Sequence, residues 1–172
     1  MSLPRLPGER VTLHPVPYDV AVAVLAGDPA AALAGVGLSA GEGWPHEDTA
    51  DALRGLAEHG SPGDEDGWLV VLGNEVIGDC GWMGGPGPDG DAEIGYGLAA
   101  PYRGRGLGRE AVAVLCSWAE QQPGVRSVSA QALPGNEASC RLLLGIGFSR
   151  DGENPPYLRF VRPNPAGPTP AL

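Results

Sequence analysis

The stretch Ala92–Gln121, AEIGYGLAAPYRGRGLGREAVAVLCSWAEQ, decides how the chain is read. Ala92–Leu98 has Ile94, Tyr96 and Leu98 in alternation and stops before Pro101, which predicts a strand. Arginine and glycine alternate from Arg103 to Gly106, and Gly108 follows. An apolar run at helical spacing from Leu107 to Gln121 is closed by Pro123-Gly124. Glycines at the mouth of a helix let the backbone come close to a ligand. The first N–H groups of that helix have no partner inside it, and its dipole puts partial positive charge there. The pattern therefore predicts an anion site suited to phosphate. Arg103, Arg105 and Arg109 add full charges beside it, in a chain whose formal net charge is −10.

Three phosphate patterns compete. A Walker loop requires Gly-Lys-Ser/Thr at its end, and all eleven basic residues of this chain are arginine. A dinucleotide fingerprint requires G-x-G-x-x-G directly after a strand, and the glycines here fall at 104, 106 and 108. The third pattern, Arg/Gln-x-x-Gly-x-Gly/Ala between a strand and a helix, is matched by Arg103, Gly106 and Gly108. An ordinary tight β–α turn is the competing reading of the same residues.

The chain of 172 residues fits one domain with a sizeable core. Hydrophobic residues make up 42% and mean hydropathy is −0.08, which indicates a soluble globular class. No run approaches the length of a membrane span, and Met1-Ser2-Leu3-Pro4 does not open a signal peptide. A cytoplasmic location is expected. Cys80, Cys116 and Cys140 are odd in number and widely spaced, which argues for a reducing compartment and against a disulfide scaffold or a zinc site; no metal is expected. The acidic balance argues against nucleic acid as the main partner and is compatible with a cationic substrate such as an amine. Monomer and homodimer are both left open.

Outward from the central stretch, Glu9–Val16 reads as a first strand and Tyr18–Ala26 as a short helix. Gly27–Gly43, rich in alanine and glycine, reads as irregular. Trp44–Asp48 opens a helix whose stripe is Thr49, Ala52, Leu53, Leu56 and Ala57, with Gly60 at its end. Ser61–Gly67 is a polar turn, in which Asp64-Glu65-Asp66 is a solvated cluster. Trp68–Leu72 and Val76–Met83 form a hairpin. Arg126–Leu133 is a strand. Asn136 caps a helix to Leu144. Phe148–Arg150 and Tyr157–Val161 are last strands, and residues 163–172 form a Pro-rich flexible tail. His14, His46 and His59 read as surface or capping residues. The tryptophans are core by default, with Trp44 and Trp82 able to line an acceptor pocket.

Two stretches together carry a resemblance. The Arg103–Gly108 loop looks like the pyrophosphate-binding loop of the GNAT superfamily of acyl-CoA N-acyltransferases. Asn136-Glu-Ala-Ser139 running on to Gly147-Phe148 resembles the segment after that family's fifth strand. Leu6–Val16, Trp44-Pro45-His46 and Glu93-Ile94-Gly95-Tyr96 are similar to the branch containing ribosomal-protein N-terminal acetyltransferases. The resemblance implies a single GNAT domain over residues 1–162. Its fold would be α/β of the α+β mixed-sheet kind: a central, mostly antiparallel sheet with helices on both faces and with the fourth and fifth strands, 92–98 and 126–133, splayed apart.

The resemblance further implies that acetyl-CoA is the co-substrate and that its acetyl group passes directly to a primary amine, on a protein N-terminus or a small molecule. Arg103, Gly104, Arg105, Gly106, Leu107, Gly108 and Arg109 would hold the diphosphate. The backbone N–H near Leu98 would face the thioester oxygen, and Asn136 would bond the pantetheine or the backbone. Glu93, opposite in parity to Ile94 and Tyr96, is the candidate base, with Asp91 behind it; a sheet-edge glutamate is the competing reading. Ser139 is the candidate for contacting the leaving sulfur, or else a plain first-turn serine. Leu143 stands where many members of the family carry a tyrosine as general acid. That departure keeps open a non-catalytic acyl-CoA-binding module acting as sensor or scaffold.

Overall fold

The computed structural model describes residues 3–59 and 67–167. In chain order its elements are β1 (Leu6–Pro7), β2 (Val11–Pro15), α1 (Tyr18–Leu25), α2 (Ala30–Gly35), β3 (Ser39–Ala40), α3 (Thr49–His59), β4 (Gly67–Leu72), β5 (Glu75–Trp82), β6 (Asp91–Leu98), α4 (Leu107–Glu120), β7 (Ser127–Ala132), α5 (Glu137–Gly145), β8 (Ser149–Asn154) and β9 (Tyr157–Pro163). The class is mixed α/β with mostly antiparallel pairing; β3 with β5 and β6 with β7 pair parallel. None of the described helices is long and apolar enough to cross a membrane. The chain divides into two compact units, Met1–Gly81 with Tyr96–Val114, and Trp82–Gly95 with Leu115–Leu172.

In the first unit the strand order is β1-β2-β4-β5, with β3 alongside β5. β2 and β4 pair from Val11↔Leu72 to Pro15↔Trp68. Trp68, Leu69, Val70 and Val71 are all buried, so β4 is covered on both faces, as an unbroken apolar strand requires. The hairpin of β4 and β5 carries an irregularity between Val70 and Val71. Its turn uses Gly73 at φ 65°, a conformation that glycine adopts without a Cβ clash. Helices α1 and α3 pack on each other. The expectation of an irregular Gly27–Gly43 is corrected: α2 and β3 lie within it. Leu33 is the one fully buried side chain of α2, so a single apolar anchor in an alanine run left no periodic signal. The expected end of α3 at Gly60, and the polar turn with Asp64-Glu65-Asp66, fall outside the described residues.

In the second unit the order is β6-β7-β9-β8, β6 contributing its first half. The parallel register of β6 and β7 runs from Asp91↔Ser127 to Ile94↔Ala130; Gly95–Leu98 take no part in it. β7 and β9 pair antiparallel from Ser127↔Pro163 to Ala132↔Leu158. The last strand therefore runs past the expected Val161. Asn164 follows it and is tied down, its Nδ2 donating to the Glu120 and Val125 carbonyls at 2.9 and 2.8 Å. Helix α4 buries Ala111, Val112, Leu115, Cys116 and Ala119 at three- and four-residue steps, with Val114 and Trp118 half-buried beside them.

Candidate functional site

The site is built where β6 hands over to α4, in the first unit. β6 ends at Leu98, and Ala99 N–H donates to the Ile77 carbonyl at 2.8 Å. A 3-10 turn over Ala100–Tyr102 follows, made possible by Pro101 with its fixed φ. Gly104 and Gly106 then take φ of 73° and 77°, the left-handed region open to glycine. α4 starts at Leu107, one residue after Gly106, and Glu110 N–H makes an opening helical bond to the Gly106 carbonyl at 3.1 Å. Gly106 has no side chain with which to cap the helix. A Cβ on Gly104 would meet nothing within 4 Å. The space beside Gly104 is thus open, while a Cβ on Gly106 would meet Arg10 Nη2 at 3.1 Å.

The arginines of the loop divide their tasks. Arg103 Nε donates to the Leu98 carbonyl at 2.9 Å, tying the loop back to the end of β6. The Arg105 guanidinium lies over the Tyr102 ring, 5.9 Å from its centroid, at cation–π distance. Tyr102 is buried, and its hydroxyl accepts the Glu42 N–H at 3.2 Å. Arg109 stands exposed in the first turn of α4.

Beside this loop, β5 and β6 approach unusually closely. A Cβ on Gly78 would lie 2.4 Å from the Gly97 carbonyl oxygen and 3.2 Å from the Leu98 Cα. A Cβ on Gly97 would lie 2.7 Å from His46 Cε1. Both positions need glycine to let backbone and ring come this near. His46 belongs to a buried cluster around Asp79, which is 4% exposed. Asp79 Oδ2 accepts from Trp44 Nε1 at 3.0 Å and from Thr49 Oγ1 at 2.9 Å. His46 Nε2 contacts the same oxygen at 3.2 Å as an ion pair rather than a well-aligned hydrogen bond. His46 Nδ1 accepts the Asp48 N–H at 3.3 Å, so the neutral ring carries its proton on Nε2. Contact with Asp79 raises the His46 pKa against the lowering effect of burial. The surface alternative for His46 is corrected, because its side chain is drawn in to partner a buried carboxylate, while its Nδ1 accepts the Asp48 N–H just before α3. Trp44 is 4% exposed with its indole N–H on Asp79, in line with the core reading of the tryptophans.

In the second unit one face of the paired strands carries a polar ladder. Asp91 accepts from the Ser127 and Ser129 hydroxyls at 2.7 and 2.5 Å and pairs with Arg159 at 3.1 Å. That engagement ties Asp91 into the sheet. Glu93, next on the same face, is half-buried, and its Oε1 accepts from Gln131 Nε2 at 2.8 Å. Gln131 Oε1 in turn accepts from Asn154 at 3.3 Å. The parity read for Glu93 holds: Ala92 and Ile94 are buried on the other face. α5 begins with Asn136 as its N-cap, Oδ1 accepting the Ser139 N–H at 3.1 Å. Leu143 is fully buried in α5. Trp82 packs edge-on against Trp118, centroids 4.8 Å apart.

Comparison with known proteins bears on family and fold. The family model described as acetyltransferase (GNAT) domain matches residues 10–149. The uncharacterized N-acetyltransferase YjdG of Bacillus subtilis (strain 168) is 27% identical over 125 residues, 69% of this chain and 74% of that protein. The crystal structure of ribosomal-protein-S5-alanine acetyltransferase from Vibrio fischeri superposes with a TM-score of 0.69 at 18% identity, covering 97% of this chain and 100% of that one. The structure of AAC(6')-Ib in complex with ribostamycin and coenzyme A superposes at 0.63 and 20% identity, covering 90% and 94%.

Proposed function

The chain belongs to the GNAT acetyltransferases, and from that premise we propose that it moves an acetyl group from acetyl-CoA directly to a primary amine, on a protein N-terminus or a small molecule. The observation that carries the reading is the mouth of α4, where Gly104 and Gly106 take left-handed turns and the residue before the helix, Gly106, has no side chain of its own to cap it. Such a mouth binds a diphosphate through amides and dipole together. The amides from Gly104 to Gly108 take the diphosphate, and Arg103, Arg105 and Arg109 surround it with positive charge. The Tyr96–Leu98 edge of β6 takes the pantetheine arm as an added strand would be taken.

The chemistry assigns roles to the remaining residues. Acetyl transfer forms a C–N bond and breaks the C–S bond, while the amine loses a proton. The N–H of Leu98 faces the carbonyl oxygen as charge develops on it. Glu93 accepts the amine proton, directly or through water, with Gln131 orienting its carboxylate. Ser139 contacts the leaving sulfur, and Asn136 serves the pantetheine as well as its helix. Cys80, Cys116 and Cys140 stand outside any disulfide, and the reading takes the protein as cytoplasmic.

A second reading has one observation in its favour. Leu143 stands fully buried where a tyrosine acid is common in the family, which suits an acyl-CoA-binding module without turnover. Thiol release from acetyl-CoA with a panel of amines separates the two. The catalytic reading expects one amine class to release thiol, with Glu93→Gln slowing it by about a hundredfold. Acetyl-CoA binding with no amine consumed, and no effect of Glu93→Gln on any slow hydrolysis, selects the binding-only reading.

A further inference from the structure

Arg10 belongs to none of the motifs that mark the loop, yet it reaches the loop across 95 residues of sequence. Its Nη1 donates to the Arg105 carbonyl at 2.9 Å. Its Nε donates to Glu110 Oε2 at 3.0 Å. Glu110 Oε1 accepts the backbone N–H groups of Arg10 and Val11 at 2.5 and 2.9 Å. Glu110 N–H bonds the Gly106 carbonyl, so the contacts close a ring through Arg10, Glu110, Gly106 and Arg105. Burial disfavours the Glu110 charge, but the Val11 and Arg10 N–H donors and the Arg10 guanidinium outweigh it and hold the carboxyl below its ordinary range. Its charge therefore persists at neutral pH.

The geometry of one peptide unit gives this ring its consequence. The Arg105 carbonyl and the Gly106 N–H share a planar trans amide, so they point in opposite directions. Holding the carbonyl on Arg10 turns the Gly106 N–H to the other side of the loop, away from the guanidinium. The Gly106 Cβ position lies 3.1 Å from Arg10 Nη2, so a side chain there would press on the same clamp. The Arg10 side chain is 50% exposed. The Glu110 side chain is 14% exposed, but the arginine end of the pair stands half in solvent, so the ion pair itself contributes modestly to the stability of the fold. Its effect lies in the direction of an amide.

We propose that Arg10 is a positioning residue for the diphosphate, and that the Arg10–Glu110 pair is a determinant of CoA affinity through the Gly106 amide. The proposal rests on the reading of the loop as a diphosphate site. The test is calorimetric titration of CoA and of 3′-phosphoadenosine 5′-diphosphate, its nucleotide half, into the unaltered protein, Arg10→Ala, Glu110→Gln and the double variant. Glu110→Gln keeps an oxygen for the β2 amides while removing the charge that holds Arg10. Each single variant is expected to weaken both probes by the same factor, about tenfold. The double variant is expected to lose no more than either single one, because the two act as a unit. Melting temperatures are expected to stay near that of the unaltered protein. Unchanged affinity in Arg10→Ala, loss for CoA without loss for the nucleotide half, or additive losses would each overturn the proposal while leaving the diphosphate reading intact. Failure of the unaltered protein to bind either probe would overturn that reading and the proposal with it.

Discussion

Helices α4 and α5 both begin with N–H groups that need partners, and they meet the need in opposite ways. α5 starts at Asn136, whose side chain accepts the Ser139 N–H at 3.1 Å. α4 starts after Gly106, which has no side chain, with Gly104 and Gly106 both left-handed before it. One helix has its first turn capped by its own sequence; the other has a glycine where that cap would stand. A helix N-terminus becomes an anion site when nothing local has claimed its amides, which is the role proposed for the start of α4.

The contrast breaks most readily at Gly106. Gly106→Val places a branched side chain at φ 77° and against Arg10 Nη2, strained by about 1–2 kcal/mol and displacing the turn that shapes the mouth of α4. CoA affinity is expected to fall by about a hundredfold or more, roughly 3 kcal/mol, while circular dichroism stays close to that of the unaltered protein. Arg105→Ala comes next. It is expected to weaken CoA by about 1–2 kcal/mol, and the loss should shrink as salt rises, because the guanidinium over Tyr102 acts by charge from an exposed position. A loss independent of salt would separate Arg105 from the phosphate. Asn136→Ala probes the other helix. It is expected to lower stability by about 1 kcal/mol in denaturant unfolding and to leave the affinity for 3′-phosphoadenosine 5′-diphosphate unchanged.

A third helix start sharpens the comparison through pH, with the smallest effect. α3 is preceded by His46, whose backbone N–H donates to Thr49 Oγ1 at 3.1 Å and whose ring pairs with Asp79. The Asp79 contact raises the His46 pKa above its ordinary 6.5. The charged pair therefore contributes stability fully below pH 6.5 and loses it as pH rises through the raised value. Melting temperature is expected to decline over that alkaline side, and His46→Gln should flatten the decline. An unchanged profile in His46→Gln would assign the pH dependence elsewhere.

What the sequence made legible follows the range of the contacts. The loop and α4 were readable because glycine, arginine and the apolar stripe lie within one short stretch, and Asn136 declared its cap three residues before its partner. Asp79 was invisible because its donors Trp44 and Thr49 lie 35 and 30 residues away and meet it only once α3 docks. His46 gave no sign of its carboxylate partner for the same reason. Arg10 and Glu110 gave no sign of each other, since their meeting depends on β2 lying beside the start of α4. Gly78 and Gly97 gave no sign of the close approach of β5 and β6, because a glycine in a strand does not say which neighbour needs its missing Cβ.

The central claim is that main-chain amides at the mouth of α4 hold the diphosphate of acetyl-CoA. An amide-resolved NMR titration with CoA tests it most directly. The account predicts that the N–H resonances of Gly106, Leu107 and Gly108 move furthest and saturate together, with the capped Ser139 N–H of α5 keeping its Asn136 bond. Saturable binding that leaves the Gly106, Leu107 and Gly108 resonances in place would contradict it.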